Sequence, residues 1–429
     1  MTKFCFLLAA CFAASASAEN WPQWRGPAGT GVTGETNLPL KWSSTENVAW
    51  RVPLPDRGNS TPVIWGDRIF LTQYIEKERR RTLMCLDRKN GSLLWQQGVV
   101  YEPKEPTHPD NPPCSGSPAT DGERVIACFA SAGVFCYDFK GKELWRRDLG
   151  KLDFEFGPGA SPVIHGDLVF LYRGPDKNAY TIALDKRTGK TVWKFTDPAV
   201  ITEGRTDGFR GQKGMISSYC TPIVVTAAGR EELIVIVPGQ VVALEPKTGK
   251  PLWNCHGLNP LVYTAPMAAG GTVVAMGGFF GNTIAVEAGG KGDVTSTRRL
   301  WQTVRTKNRL GTGVIHGGHY FVFDTENPVE CVELKTGKPV WQEKLTAKGA
   351  KTESWSSMIL SGDRIYILNQ SAETFVFRAA PKFELLAVNL LDSSMCNSSH
   401  AVSDGQMFIR THSELWCIGE KKTAGARSN

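Results

Sequence analysis

Asp153 and Glu155 stand two residues apart in an extended stretch, so both side chains point to the same side of the chain. Two carboxylates so placed suit acid and base work on a glycosidic bond. A pair of solvated loop charges has the same spacing, and both readings stay open. His316 and His319 flank Gly317-Gly318, which has the look of a metal pair, but no third ligand is evident and the glycines mark a hairpin turn. Gly189-Lys190-Thr191 ends like a phosphate-binding loop, yet Leu184 stands where the first glycine of such a loop belongs. Cys255-His256 lacks the earlier cysteine that haem attachment uses. No Gly-x-Ser-x-Gly elbow occurs, and Ser60, Ser117 and Ser161 read as strand starts.

The elements that must position any such residues are copies of one unit. Ala183 to Trp193 reads ALDKRTGKTVW, Ala243 to Trp253 reads ALEPKTGKPLW and Cys331 to Trp341 reads CVELKTGKPVW. Looser copies run from Cys85 to Trp95 and from Cys136 to Trp145. Each contains a short apolar strand, an acid, a glycine turn that supplies positive φ and a second strand ending on an aromatic residue. A second pattern interleaves with the first: an apolar strand, a Gly/Asp turn and another apolar strand, beginning at Pro62, Pro118, Pro162, Pro222, Pro266, Gly313, Met358 and His400. Each repeat is thus a four-stranded meander.

Outer strands end at Trp50, Trp95, Trp145, Trp193, Trp253, Trp301 and Trp341, with Phe383 to Val388 a degenerate member. The last repeat stops one strand short, at Leu415 to Ile418, while Val48 to Val52 is an outer strand without a blade. The chain is therefore expected to be all-β, an eight-bladed β-propeller of four-stranded antiparallel blades. It closes by pairing the N-terminal strand with the C-terminal blade, which removes the exposed edges. The seven tryptophans are expected to dock structurally between blades.

The expected division is a signal peptide at 1–18, an arm at 19–46, the propeller at 47–419 and a basic tail at 420–429. Met1-Thr2-Lys3, the apolar run to Ala14 and Ala16-Ser17-Ala18 have the pattern of a secretory leader. This implies a periplasmic or secreted protein, with a lipid anchor at Cys11 as the alternative. No later apolar stretch is long enough for a membrane helix. Removing Cys5 and Cys11 from the eleven cysteines leaves an odd number, which cannot all pair. Cys85, Cys136 and Cys331 occupy the place of Ala183 and read as packed thiols, whereas Cys114 with Cys128, or Cys396 with Cys417, remain possible pairs. The net charge of +7 is scattered, without the basic, aromatic-interleaved stripe of a nucleic-acid surface. A monomer is expected.

The repeats resemble the pyrroloquinoline-quinone-type (PQQ-like) propeller family, whose motif runs Ala-x-Asp-x-x-Thr-Gly-x-x-x-Trp, and the likeness spans about Val48 to Gly419. Size, repeat number and leader resemble its BamB-like group, and the Trp21 to Pro27 arm is similar to one in secreted bacterial propellers of unassigned function. The resemblance implies a scaffold without cofactor. PQQ with Ca²⁺ in an alcohol or sugar dehydrogenase is the alternative, although the adjacent cysteines common in those enzymes are missing.

Insertions at Gln96 to Ser115, Lys194 to Tyr219 and Tyr74 to Thr82 fall on one face, and only Gly289 to Thr297 falls on the other. Long loops above a central funnel are where this scaffold builds a site. Repeat phase places Arg57, Asn59, Glu155, Arg210, Lys213, Tyr219, Tyr263, Arg309, Trp355, Asn397 and His400 around its mouth. Cations outnumber anions in that set. The expected partner is a protein, or an acidic glycan or peptide gripped by Arg57, Arg210 and Arg309. No catalytic set is assigned, and a carbohydrate-active enzyme using the funnel is a further alternative.

Overall fold

The structure, a computed structural model, describes residues 19–152, 156–176, 178–199, 216–278, 281–304, 308–325 and 328–420. The leader and residues 421–429 of the tail lie outside the described residues. The meanders fold as eight blades in chain order. Their inner strands are Val63–Trp65, Ala119–Thr120, Val163–His165, Ile223–Ala227, Met267–Ala269, Val314–His316, Ile359–Ser361 and Ala401–Ser403, in blades 1 to 8. The second and third strands are largely buried, and the outer strand alternates between the neighbouring blade and solvent. Blade 7 ends on Leu385–Leu390, the degenerate outer strand without a tryptophan.

The repeat motif has a cross-strand cause. Its small first residue faces its final tryptophan: Cys85 pairs with Trp95, Cys136 with Trp145, Ala183 with Trp193, Ala243 with Trp253 and Cys331 with Trp341. Ala285 faces Trp301, and Cys417 faces Trp50, in the same way. A methyl or thiol opposite the indole leaves it room to lean toward the next blade, and the bulge beside every pair adds twist in support. Six indole N–H groups donate to a carbonyl of the following blade at 2.8–3.0 Å; Trp50 reaches Arg88 and Trp193 reaches Pro246. Trp253 instead donates to the buried Glu232 carboxylate of its own blade at 2.7 Å. The insertion on this side of the ring supplies Gly292–Asp293, which pairs in parallel with Trp253 and Asn254.

The turn glycine serves the same interface. At Gly189 φ is +68°, and a Cβ there would sit 2.5 Å from the Trp145 ring. All nine cysteines among the described residues are free thiols, so neither of the possible pairs is a disulfide. Burial pushes the Cys85, Cys136 and Cys331 thiols up to about 12, as expected of packed side chains.

The ring closes where the orphan strand predicts: Val48–Pro53 pairs antiparallel with Glu414–Ile418. The arm then crosses the axis at the end where the first hairpin turns lie. Trp21 exchanges two backbone hydrogen bonds of 2.9 Å with Ile64, and the Pro22 carbonyl accepts from Thr120. Farther along, the fully buried Arg25 donates to the Thr312 carbonyl at 2.9 Å and the Gly313 carbonyl at 2.6 Å. Val32–Thr33 lies parallel to Leu360–Ser361. Anchored to blades 1, 2, 6 and 7, the arm leaves the opposite, insertion-rich end as the open mouth.

Candidate functional site

The mouth rests on a ring of hydroxyls. The amide just before each inner strand donates to the hydroxyl at the same position of the next blade: Thr61 to Ser117 and Ser117 to Ser161 at 2.9 Å, then Ser161 to Thr221 at 3.0 Å. After Ala265, which has no hydroxyl, the series resumes from Ala265 to Thr312, Thr312 to Ser357 and Ser357 to Ser399 at 2.9 Å, and Ser399 to Thr61 closes it at 3.0 Å. Proline after five of these positions holds them extended, and each bond satisfies a backbone donor that burial would otherwise strand.

Above the ring, the insertion between blades 1 and 2 folds over the mouth. It is anchored by a buried ion pair between Arg81 and Glu105, and the Arg81 guanidinium lies 4.2 Å from the centre of the Tyr101 ring. Its tip is held through carbonyls: Asp110 accepts from Asn59 Nδ2 at 2.8 Å and from Asn397 Nδ2 at 3.2 Å, while Pro109 accepts from Arg57 at 2.5 Å. This places the His108 ring 5.3 Å from Trp355 of blade 7 and 6.4 Å from Phe156, which precedes blade 3. The Asp110 amide donates to His108 Nδ1 at 3.2 Å, so the proton of the neutral imidazole is on Nε2.

Trp355, His108 and Phe156 thus form an aromatic chord across the mouth. Facing it from blades 4 and 5 are Tyr219 and Tyr263, with ring centres 5.4 Å apart. A cavity of about 340 Å³ opens here, and every blade contributes lining residues from the segment before its inner strand. Asn59, Asn111, Asn308, Leu310, Thr325 and Asn397 complete the wall with Gly159. The amide side chains are partly committed to the frame: Asn111 Nδ2 donates to the Phe156 and Pro158 carbonyls, and Asn397 Oδ1 accepts from Gln370 at 2.8 Å. Among the described residues the lining contains no carboxylate, lysine or arginine.

Of the residues placed at the mouth by repeat phase, Asn59, Tyr219, Tyr263, Trp355 and Asn397 line this cavity. Arg57 lies beside it, holding Pro109 and standing 3.8 Å from Glu76. Arg309 requires a correction, because it is fully buried between Asp324 at 2.6 Å and Glu330 at 2.8 Å and presents no charge to the mouth. His400 is also in the core rather than at the surface. Its Nε2 lies 3.0 Å from the Thr374 hydroxyl, and burial lowers its pKa to about 3. Glu155, Arg210 and Lys213 lie outside the described residues, as does Asp153. His316 and His319 face each other across a hairpin turn, and no group of three or more His, Cys, Asp or Glu side chains among the described residues is arranged to hold a metal.

Comparison with known proteins adds a lineage. The family model for the outer membrane protein assembly factor BamB matches residues 31–170, 79–342 and 181–429. Outer membrane protein assembly factor BamB of Burkholderia pseudomallei strain K96243 is 21% identical over 362 residues, covering 75% of this chain and 84% of that protein. The crystal structure of BamB from Moraxella catarrhalis matches with a TM-score of 0.59 and 12% identity, over 86% of this chain and 98% of that one. The quinohemoprotein alcohol dehydrogenase of Comamonas testosteroni matches with a TM-score of 0.67 and 11% identity, over 95% of this chain and 82% of that one. At such identities these two structures speak to the fold alone.

Proposed function

Because the chain belongs to the outer membrane protein assembly factor BamB family, we propose that it is a non-catalytic binding scaffold of the cell envelope that engages its partner at the open mouth. The observation that carries this reading is the lining of the cavity, in which all eight blades converge rings and amides on one space. Such groups recognise a guest by contact area and hydrogen bonding. The leader pattern at 1–18 supports export to the envelope. No helix among the described residues is long and apolar enough to cross a membrane.

A quinone dehydrogenase would use the same mouth, since propellers of that kind share the fold. PQQ carries three carboxylates and is held with Ca²⁺, so its site calls for cations around the quinone and oxygen ligands, carboxylates above all, around the metal. The described lining supplies neither charge type, so the described residues do not fit that group. The test mixes the purified chain with PQQ, Ca²⁺, an alcohol or aldose and a dye acceptor, beside a pull-down from native envelope. The scaffold reading expects no retained quinone, no dye reduction and an envelope component whose retention is lost in Trp355→Ala. Stoichiometric quinone with dye reduction would replace the reading with the dehydrogenase one.

A further inference from the structure

Resting on the reading of the mouth as a binding site, we propose that its guest is an uncharged sugar ring, presented as the end or a loop of a neutral glycan. The first argument is the pairing of two aromatic walls. The Trp355–His108–Phe156 chord and the Tyr219–Tyr263 pair belong to different arcs of the ring and face one cavity. An aromatic face is electron-rich and attracts the weakly positive C–H groups on the flat side of a pyranose. Two such walls grip a ring that is apolar on its faces and polar at its rim.

The second argument is the set of polar atoms between the walls. Trp355 Nε1–H makes no hydrogen bond among the described residues, and His108 Nε2 carries a proton because Nδ1 already accepts from Asp110. Asn111 is fixed by its two Nδ2 bonds, so its Oδ1 is an acceptor of set direction. Donors and an acceptor on a rigid frame match hydroxyls, each of which both donates and accepts.

The third argument is electrostatic. An acidic sugar or peptide entering this space would lose hydration with no cation in the described lining to meet it. Arg57, beside the cavity, already holds Pro109 and faces Glu76. The cavity of about 340 Å³ also falls within the size range of small-molecule sites.

The test is a glycan array carrying neutral and acidic oligosaccharides, probed with the full chain and followed by tryptophan-fluorescence titration of the hits at low and high salt. The proposal expects neutral glycans to bind with affinity unchanged by salt. Trp355→Ala should weaken binding about tenfold, the scale of one lost aromatic stacking contact. Trp355→Phe, which keeps a ring but loses the Nε1–H donor, should weaken binding less than Trp355→Ala does. Tyr263→Ala gives the same readout from the opposite wall, should one variant fail to fold. Binding confined to acidic glycans and weakened by salt, or neutral binding indifferent to both alanine variants, overturns the proposal. Absence of all glycan binding, with a photo-crosslinker at Leu310 still trapping a protein partner, overturns the sugar inference and leaves the scaffold reading standing. Absence of both overturns the two together.

Discussion

The Ser399 amide donates to the Thr61 hydroxyl at 3.0 Å across 338 positions of sequence. That bond joins the last blade to the first at the innermost radius, while Trp50 joins the same two blades at the outer radius through the Arg88 carbonyl. Closure is thereby made twice, at either end of the blade interface.

The inner ring yields a prediction with two signs. Thr61→Ala leaves the buried Ser399 amide without its acceptor and should lower stability by about 1–3 kcal/mol. Ala265→Ser supplies the one missing hydroxyl, opposite the Thr221 amide, and should raise stability by up to about 1 kcal/mol. Urea denaturation of both variants checks the pair; two losses of equal size would mean that the ring geometry has no energetic role.

The outer contact can be tested at Trp193, which is buried and bonded to Pro246 of the next blade. Trp193→Ala should cost about 3–5 kcal/mol, as buried aromatic truncations do. A change below about 1 kcal/mol in fluorescence-monitored denaturation would contradict the docking role.

Deleting residues 19–54 removes both Val48–Pro53 and the arm with Arg25. The Glu414–Ile418 edge would then be unpaired and Arg88 would lose its indole partner, so cooperative unfolding should disappear. A truncated chain that melts like the whole one would refute closure by this strand.

The buried His400 sets a pH dependence. Its pKa falls to about 3 in the folded chain, against 6.5 when unfolded. Between these values only the unfolded state holds the proton, so stability drops as pH falls below 6.5, by up to about 1.4 kcal/mol per unit. His400→Gln retains a partner for Thr374 and removes this contribution. From pH 7 to pH 5 the wild type should lose about 1–2 kcal/mol relative to the variant; parallel stability curves would contradict the assignment.

The blades were legible because the motif is a local physical object: a small residue, a glycine turn and a tryptophan that meet across two adjacent strands, as Ala183 and Trp193 do. Closure was legible from one orphan strand. The hydroxyl ring was not, since Ser117-Pro118 and Ser161-Pro162 look like ordinary strand starts until the next blade is placed beside them. Arg309 has the repeat phase of a mouth residue, but Asp324, just past the second strand of its blade, and Glu330, in the third, capture it, and linear order carries no sign of that. His108 and Phe156 escaped notice because they lie in irregular insertions. The signal for His108 was the length of the Pro-rich segment before Cys114, and Phe156, which follows blade 2, had none. Counting charges pointed to an acidic guest, whereas the lining contributed by the described residues carries no carboxylate, lysine or arginine.

The central claim is that the open mouth is the working face. Photo-crosslinking amino acids at Leu310 in the cavity wall, at Lys41 near the opposite end and at Val192 on the outer rim sample three faces of the propeller. In native envelope the account predicts a discrete adduct from Leu310, abolished by Trp355→Ala, and none from the other two positions. Adducts from Lys41 or Val192 with none from Leu310 would contradict it.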